Sequence, residues 1–263
     1  MSCEFRILDF NYAWQDGTAI AATSTDPQFP VSNLKNQIRA FAWRSTSTTA
    51  QALVFDLKTT EAIDSVVLLF DPFVGNKLSS AAIVKIQASH TNFWGAPPID
   101  QVLTIDETNG VASHYFTSDQ SYRYWRLYID DPVSGYSYIE VSKLFLAKAT
   151  QLTQGPDRGF SYSVADQSKN QRNDYGHEYS DIYPNRKSLD LDYTALTLAD
   201  QESLLNIFER LGSVRALLVD IDSTSEIFDK DRFFIYGKLK GQIQSKHKVF
   251  SYFDSGIAVE ETM

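Results

Sequence analysis

The stretch Ser121–Ala147, SYRYWRLYIDDPVSGYSYIEVSKLFLA, limits the fold more than any other part of the chain. Arg123, Trp125, Leu127 and Ile129 alternate with Tyr122, Tyr124, Arg126 and Tyr128. A period of two is the signature of a strand with two different faces. The Trp/Leu/Ile face is expected in a core, and the Tyr/Arg face is expected outward. Asp130, Asp131, Pro132 and Gly135 break the strand. A second strand carries Ile139, Val141, Leu144 and Leu146, and its phase slips near Ser142, which predicts a bulge. The pair reads as the closing hairpin of a β-sandwich.

Upstream, strands are expected at Glu4 to Asp9, Ala52 to Leu57, Ser65 to Phe70, Ala82 to Ser89, Gln101 to Ile105 and Ala112 to Phe116. Val66 to Phe70 is apolar throughout, so that strand is expected to be covered on both faces. Val31 to Leu34 is consistent with a single helical turn, and Trp43 reads as core. Short strands with regular turns and almost no helix indicate a sandwich or jelly roll. Periodicity disappears from Ala149 to Gly159, and a domain boundary is placed there. The expected division is 1–150, a sandwich, and 151–263, a smaller β-barrel-like domain with one helix.

That helix is Leu198 to Leu211. Thr197 is its N-cap with Asp200 three residues on, Leu204, Leu205, Ile207, Phe208 and Leu211 form an apolar stripe, and Gly212 ends it. Asp166 to Asp174 reads as a polar, mobile segment between strands. Further strands are expected at Phe160 to Val164, Tyr175 to Tyr179, Lys187 to Tyr193, Val214 to Ile221 and Arg232 to Leu239, then at Gln242 to Lys246 and Lys248 to Phe253.

Composition narrows function mainly by exclusion. The net charge is −9 and no block of Lys and Arg forms a phosphate-binding stripe, which argues against nucleic acid. The single cysteine, Cys3, allows neither an internal disulfide nor a cysteine zinc cluster. No apolar run approaches the roughly 18 residues of a membrane span, so no membrane insertion is expected. The N-terminus shows no signal-peptide pattern, so synthesis in a cytoplasm is expected.

Two sets of residues resemble known families. Gln51-Ala52-Leu53-Val54-Phe55-Asp56-Leu57, Ile63-Asp64-Ser65-Val66-Val67-Leu68 and Tyr122-Arg123-Tyr124-Trp125-Arg126-Leu127, preceded by Trp43, resemble the discoidin-type, galactose-binding-like domain. Lys187-Ser188-Leu189-Asp190-Leu191-Asp192-Tyr193, Leu196 to Gln201, Phe208 to Gly212 and Ala216 to Asp220 resemble the distal and minor tail-tip proteins of tailed bacteriophages. The second resemblance implies a barrel that joins sheets between subunits into a ring, and the two together imply a virion protein of a siphophage tail tip. Its partners would be further copies of itself and other tail proteins, with host attachment through a surface glycan.

Chemistry-bearing patterns are sparse. His90, His114, His177 and His247 form no helical metal pair, and no nucleophile elbow or Walker loop occurs. Asp220 to Glu226 resembles the start of a calcium loop but has Ser225 where glycine is required. No catalytic residue, metal ligand or cofactor is assigned, and no enzymatic activity is expected.

Sugar binding needs an aromatic platform with a few fixed polar groups. Phe93 and Trp94, in a proline-flanked loop, are the best candidates, and Tyr136 is the next. The competing role for Trp94 is to plug one end of the sandwich. Arg126 is expected to pair with a nearby carboxylate. Assembly contacts are expected from Asp166, Lys169 and Arg172 in one polar segment and from Asp222, Glu226 and Asp229 in another. The expected function is therefore a structural tail-tip subunit. The alternative is a carbohydrate-binding module protein that recognises cell-surface glycans.

Overall fold

The computed structural model describes residues 4–70, 78–107, 109–153, 156, 160–222, 232–241, 243, 245–249 and 252–262. The first ten strands are β1 (Glu4–Leu8), β2 (Ala19–Ala22), β3 (Trp43–Arg44), β4 (Gln51–Leu69), β5 (Ile83–Ser89), β6 (Ile99–Val102), β7 (Thr104–Asp106), β8 (Val111–Asp130), β9 (Glu140–Val141) and β10 (Lys143–Ala147). Then come β11 (Ser161–Ala165), β12 (Lys169–Arg172), β13 (Glu178–Asp181), β14 (Arg186–Leu196), the helix α1 (Leu198–Leu211), β15 (Ala216–Asp222), β16 (Arg232–Leu239), β17 (Ser245–Val249) and β18 (Tyr252–Glu261). The fold class is mainly β with one α-helix among the described residues.

Two compact units are present, Phe10–Ala149 and a unit joining the first nine residues to Thr150–Thr262. In Phe10–Ala149, one sheet runs β10-β4-β8-β5-β6, with β2 added to β4 and β7 to β8, and a small β3-β9 pair completes it. The sequence read β4 and β8 as two strands each. Both are continuous, and the pairing absorbs the expected breaks as register shifts between Asp56 and Glu61 and between Ile63 and Ser65. Lys58 takes a positive φ of 69° there. Leu53, Phe55 and Leu57 from one half of β4 and Ile63, Val66 and Leu68 from the other enter the same core cluster. The sheet therefore curls over its own core, as a sandwich requires.

Side-chain alternation sets that core. Trp125, Leu127 and Ile129 are buried with Trp43, and Tyr124, Arg126 and Tyr128 are half-buried on the other face, while at the start of the run Tyr122 packs against the core and Arg123 is ion-paired with Asp56. Burying each large apolar side chain contributes roughly 1.5–3 kcal/mol. The Trp43 indole donates to Ser24 O and Thr25 Oγ1, both at 3.2 Å, so its one polar atom is satisfied. Val66 to Phe70 is buried at every residue, as its unbroken apolar run predicts. The slip at Ser142 is also present: it separates β9 from β10, and its N–H donates to Leu69 O at 2.9 Å.

Lys143, next in the chain, is fully buried. Its ammonium donates to Phe41 O at 2.7 Å and to Asn33 O at 3.4 Å, so it ties a long loop to β10. Burial, with the nearby Arg39 charge adding to it, pushes its pKa down to about 7.

In the other unit the sheet runs β1-β15-β16-β18-β14-β11, with β17 beside β18. The reading of the sequence grouped the first nine residues with the sandwich, but β1 pairs with β15 from Glu4↔Asp222 to Leu8↔Leu218. Helix α1 has the expected bounds. Thr197 Oγ1 accepts from the Asp200 N–H and Gly212, at φ 54°, closes the C-terminus through its N–H to Phe208 O. Leu204, Ile207 and Leu211 enter the core, while Leu205 is exposed on the other side of the stripe.

The segment read as polar and mobile, Asp166 to Asp174, includes strand β12. It pairs with β13 from Lys169↔Asp181 to Arg172↔Glu178. The turn is closed by Asn173 Oδ1, which accepts from the Tyr175 and His177 N–H groups at 3.1 and 2.8 Å. Local side-chain bonding of this kind orders a stretch that has no apolar period to mark it.

Candidate functional site

The outward face of the sandwich sheet is built by register. Across β4, β8, β5 and β6 the pairings align Val54, Arg126, Gln87 and Asp100 in one row. The next row holds Ala52, Tyr128, Lys85 and Val102. Neighbouring strands lie about 4.8 Å apart, so each row is a ladder of side chains in mutual reach.

Within the first row the polar groups are bonded in series. Arg126 Nε donates to Gln87 Oε1 at 2.6 Å, and Gln87 Nε2 donates to Asp100 Oδ1 at 3.2 Å. Lys85 Nζ lies 3.6 Å from Asp100 Oδ2. Gln87 is buried, so its amide holds the guanidinium at one angle. The Arg126 carbon Cζ sits 4.9 Å from the centre of the Trp94 ring and 5.9 Å from that of Tyr128. Cation–π attraction of this kind contributes about 0.5–2 kcal/mol.

Arg126 was expected to pair with a carboxylate, but its hydrogen-bond partner is the neutral amide of Gln87. Its two terminal nitrogens have no hydrogen-bond partner and no carboxylate within 4 Å among the described residues. Burial lowers its pKa from the usual guanidinium value, while Asp100 and Tyr128 act in the opposite sense, so it stays charged.

Trp94 comes from the loop between β5 and β6. The loop is fixed by short-range bonds: Thr91 N–H to Ser89 Oγ at 3.2 Å, Phe93 N–H to Thr91 O at 2.7 Å and Trp94 Nε1 to Asn92 Oδ1 at 2.8 Å. Gly95 makes room for the neighbouring ring, since a Cβ there would meet Phe93 Cζ at 2.6 Å. Phe93 is left 65% exposed. Phe93 and Trp94 are thus an open ring and a half-buried ring on a pinned loop. Trp94 is held against the sheet face by Arg126, and the buried core cluster does not include it.

Tyr136, the third candidate, is 42% exposed, and its ring contact is with Tyr138 at 6.4 Å. It is not bonded to the Trp94 loop. Tyr138 instead belongs to a second aromatic–guanidinium group, where the Arg44 carbon Cζ lies 3.6 Å from the Phe29 ring centre and 4.7 Å from that of Tyr138. Arg44 is ion-paired with Glu140 across the β3-β9 pair.

The expected assembly residues are separate from this face. Asp166, Lys169 and Arg172 are exposed. The Ser168 hydroxyl, and then the Ser168 N–H that donates to Asp166 Oδ1 at 2.8 Å, hold the Asp166 carboxyl below the usual carboxylate range. Lys169 lies 6.0 Å from the Tyr183 ring centre, and Arg172 Nε donates to Gly176 O at 3.3 Å. Asp222 ends β15, while Glu226 and Asp229 lie outside the described residues. Among the described residues no group of three or more His, Cys, Asp or Glu is placed to hold a metal ion.

Sequence reasoning singled out the aromatic loop and did not name Gln87, Asp100 and Lys85, which the sheet register places beside it. The signal for them was the outward phase of their strands together with a loop long enough to fold back.

No family model matches the chain. No curated protein matches it. Solved structures that resemble it include the family 32 carbohydrate-binding module of Clostridium perfringens NanJ in complex with galactose. That likeness has 15% identity, 55% of this chain and 99% of that one covered, and a TM-score of 0.42. Another is chitosan-binding module 1 from a chitosanase/glucanase of Paenibacillus sp. IK-5, at 18% identity, 53% and 99% covered, and a TM-score of 0.41. The lectin domain of lectinolysin complexed with Lewis B antigen gives 14% identity, 54% and 98% covered, and a TM-score of 0.43. Their ligands are properties of those modules, and the resemblance to tail proteins rests on this chain's residues alone.

Proposed function

We propose that this is a glycan-binding protein whose binding face is formed by Phe93 and Trp94 with Arg126, Gln87, Tyr128 and Asp100. The observation that carries the reading is the Arg126 guanidinium, fixed by a neutral amide and an indole on a solvent-facing sheet with its terminal donors unused. A sugar ring offers apolar C–H faces to aromatic rings and hydroxyls to fixed donors and acceptors, and this face presents both kinds of group. The pinned loop lowers the ordering cost of binding.

The reading is tested by screening the full chain and Trp94→Ala against an immobilised glycan array. Saturable binding to a subset of glycans that is lost in a folded Trp94→Ala supports it. Undiminished binding by that variant excludes the assigned face.

A second reading, a structural subunit that assembles with copies of itself as in a phage tail tip, is favoured by one feature of the other unit. Both strands of hairpin β12–β13 are exposed at every residue, and Tyr175 in its turn and Ile182 beside it are 88% and 86% exposed. Next to it in the chain, β11 pairs, among the described residues, only with β14 and so stands at the edge of the sheet they form. Deleting 166–173 should leave the chain folded and reduce any oligomer seen by light scattering. An unchanged oligomer would remove the hairpin from that role.

A further inference from the structure

We propose that the ligand of the Trp94 face is acidic: a glycan bearing a carboxylate, of the uronic or sialic acid class, with that carboxylate held by the terminal nitrogens of Arg126. This rests on the glycan reading above and narrows it to a ligand class.

Three cations stand on β5 and β8: Lys85, Arg123 and Arg126. Lys85 is 3.6 Å from Asp100, and Arg123 makes a paired contact with Asp56 at 2.7 and 3.0 Å. Arg126 has no such partner among the described residues. A half-buried guanidinium left without a carboxylate is unusual in a chain of net charge −9, where acidic partners outnumber basic ones. The fork geometry of a guanidinium accepts a carboxylate with two parallel hydrogen bonds.

The Nε is already committed to Gln87, so the side available to a ligand is the pair of terminal nitrogens. Gln87 and Trp94 fix the plane in which those donors point, which is what bidentate recognition needs. Asp100, bonded to Gln87 and close to Lys85, is partly neutralised and acts on Arg126 only at longer range. Because the chain as a whole is acidic, an acidic polymer gains little from general attraction. Its preference for this face would come from the Arg126 contact alone.

The test compares matched acidic and neutral ligands by calorimetric titration of the full chain at low and high salt. One pair is an oligogalacturonate and its methyl ester, and the other is sialyllactose and lactose. A sulfated glycan without carboxylates is the third arm. The expected result is an acidic member of at least one pair bound about tenfold tighter than its neutral counterpart, the scale of one charge-assisted contact. Raising salt should narrow the gap. In Arg126→Gln, with its fold checked by melting, the ratio should fall to about one.

Equal affinities within both pairs, preference for the sulfated chain, or an acidic preference retained in Arg126→Gln overturns the inference while leaving the glycan reading in place. Wild-type protein that binds no glycan in any arm removes both.

Discussion

Arg44 and Arg126 make an informative pair. Both are half-buried guanidinium groups stacked on aromatic rings in the same sandwich, Arg44 on Phe29 and Tyr138, Arg126 on Trp94 and Tyr128. Arg44 is neutralised by Glu140, itself buried, and it stitches β3 to β9. Arg126 is held by an amide, which fixes its orientation without using its charge. The same residue type with the same kind of ring contact therefore stands in two settings. The Arg44 guanidinium is paired and closes a structural joint, and that of Arg126 has its terminal donors unused among the described residues.

The contrast is sharpened first by Arg44→Gln. It strands the buried Glu140 carboxylate, and breaking such a pair costs about 3 kcal/mol. Chemical denaturation should show that loss while glycan affinity of the folded protein is unchanged. Equal stability to wild type would dissolve the distinction from the structural side. Next is Trp94→Ala, which should cut glycan affinity by about tenfold to a hundredfold. Its melting temperature should stay close to wild type, since the ring lies outside the core cluster. Arg126→Gln follows, with a selective loss of about tenfold for acidic ligands, as above.

A pH-dependent effect concerns a third cation, the fully buried Lys143. Its pKa falls from 10.5 to about 7 on folding. Between those values the unfolded chain binds more protons than the folded one, so stability should rise with pH from about 7 to about 10.5. In Lys143→Met that part of the slope should vanish. Denaturation midpoints measured at pH 7 and pH 10 in both proteins check this. Identical slopes would mean the lysine titrates normally.

Much of the fold was legible because it is written in local period. The alternation from Tyr124 to Ile129 marked which side of β8 is buried, although it does not extend to Tyr122 and Arg123, and Thr197, the Leu204–Leu211 stripe and Gly212 marked the helix and its ends. What was illegible depends on partners far apart in the chain. The β1 strand looks like any short strand, and nothing near Glu4–Leu8 announces that it pairs with β15 more than 200 residues away.

The hairpin of β12 and β13 has no apolar alternation, because both strands are exposed at every residue, and it is ordered by turn bonds. Lys143 sits where a polar residue would be assigned to solvent, and the carbonyls of Asn33 and Phe41 make its burial tolerable. At the candidate site the aromatic loop was visible as Phe93-Trp94-Gly95. That none of the described carboxylates pairs with Arg126 was not visible, since it depends on Asp100 being held by Gln87 and Lys85.

The central claim is that the Trp94 face binds glycans, and the most direct measurement is a calorimetric titration of wild type and Trp94→Ala, side by side, with the best glycan from the array. The account predicts a saturable heat signal in the wild type and its loss in an equally folded Trp94→Ala. Matching isotherms from the two proteins, or a wild type that shows saturation with no glycan, would contradict it.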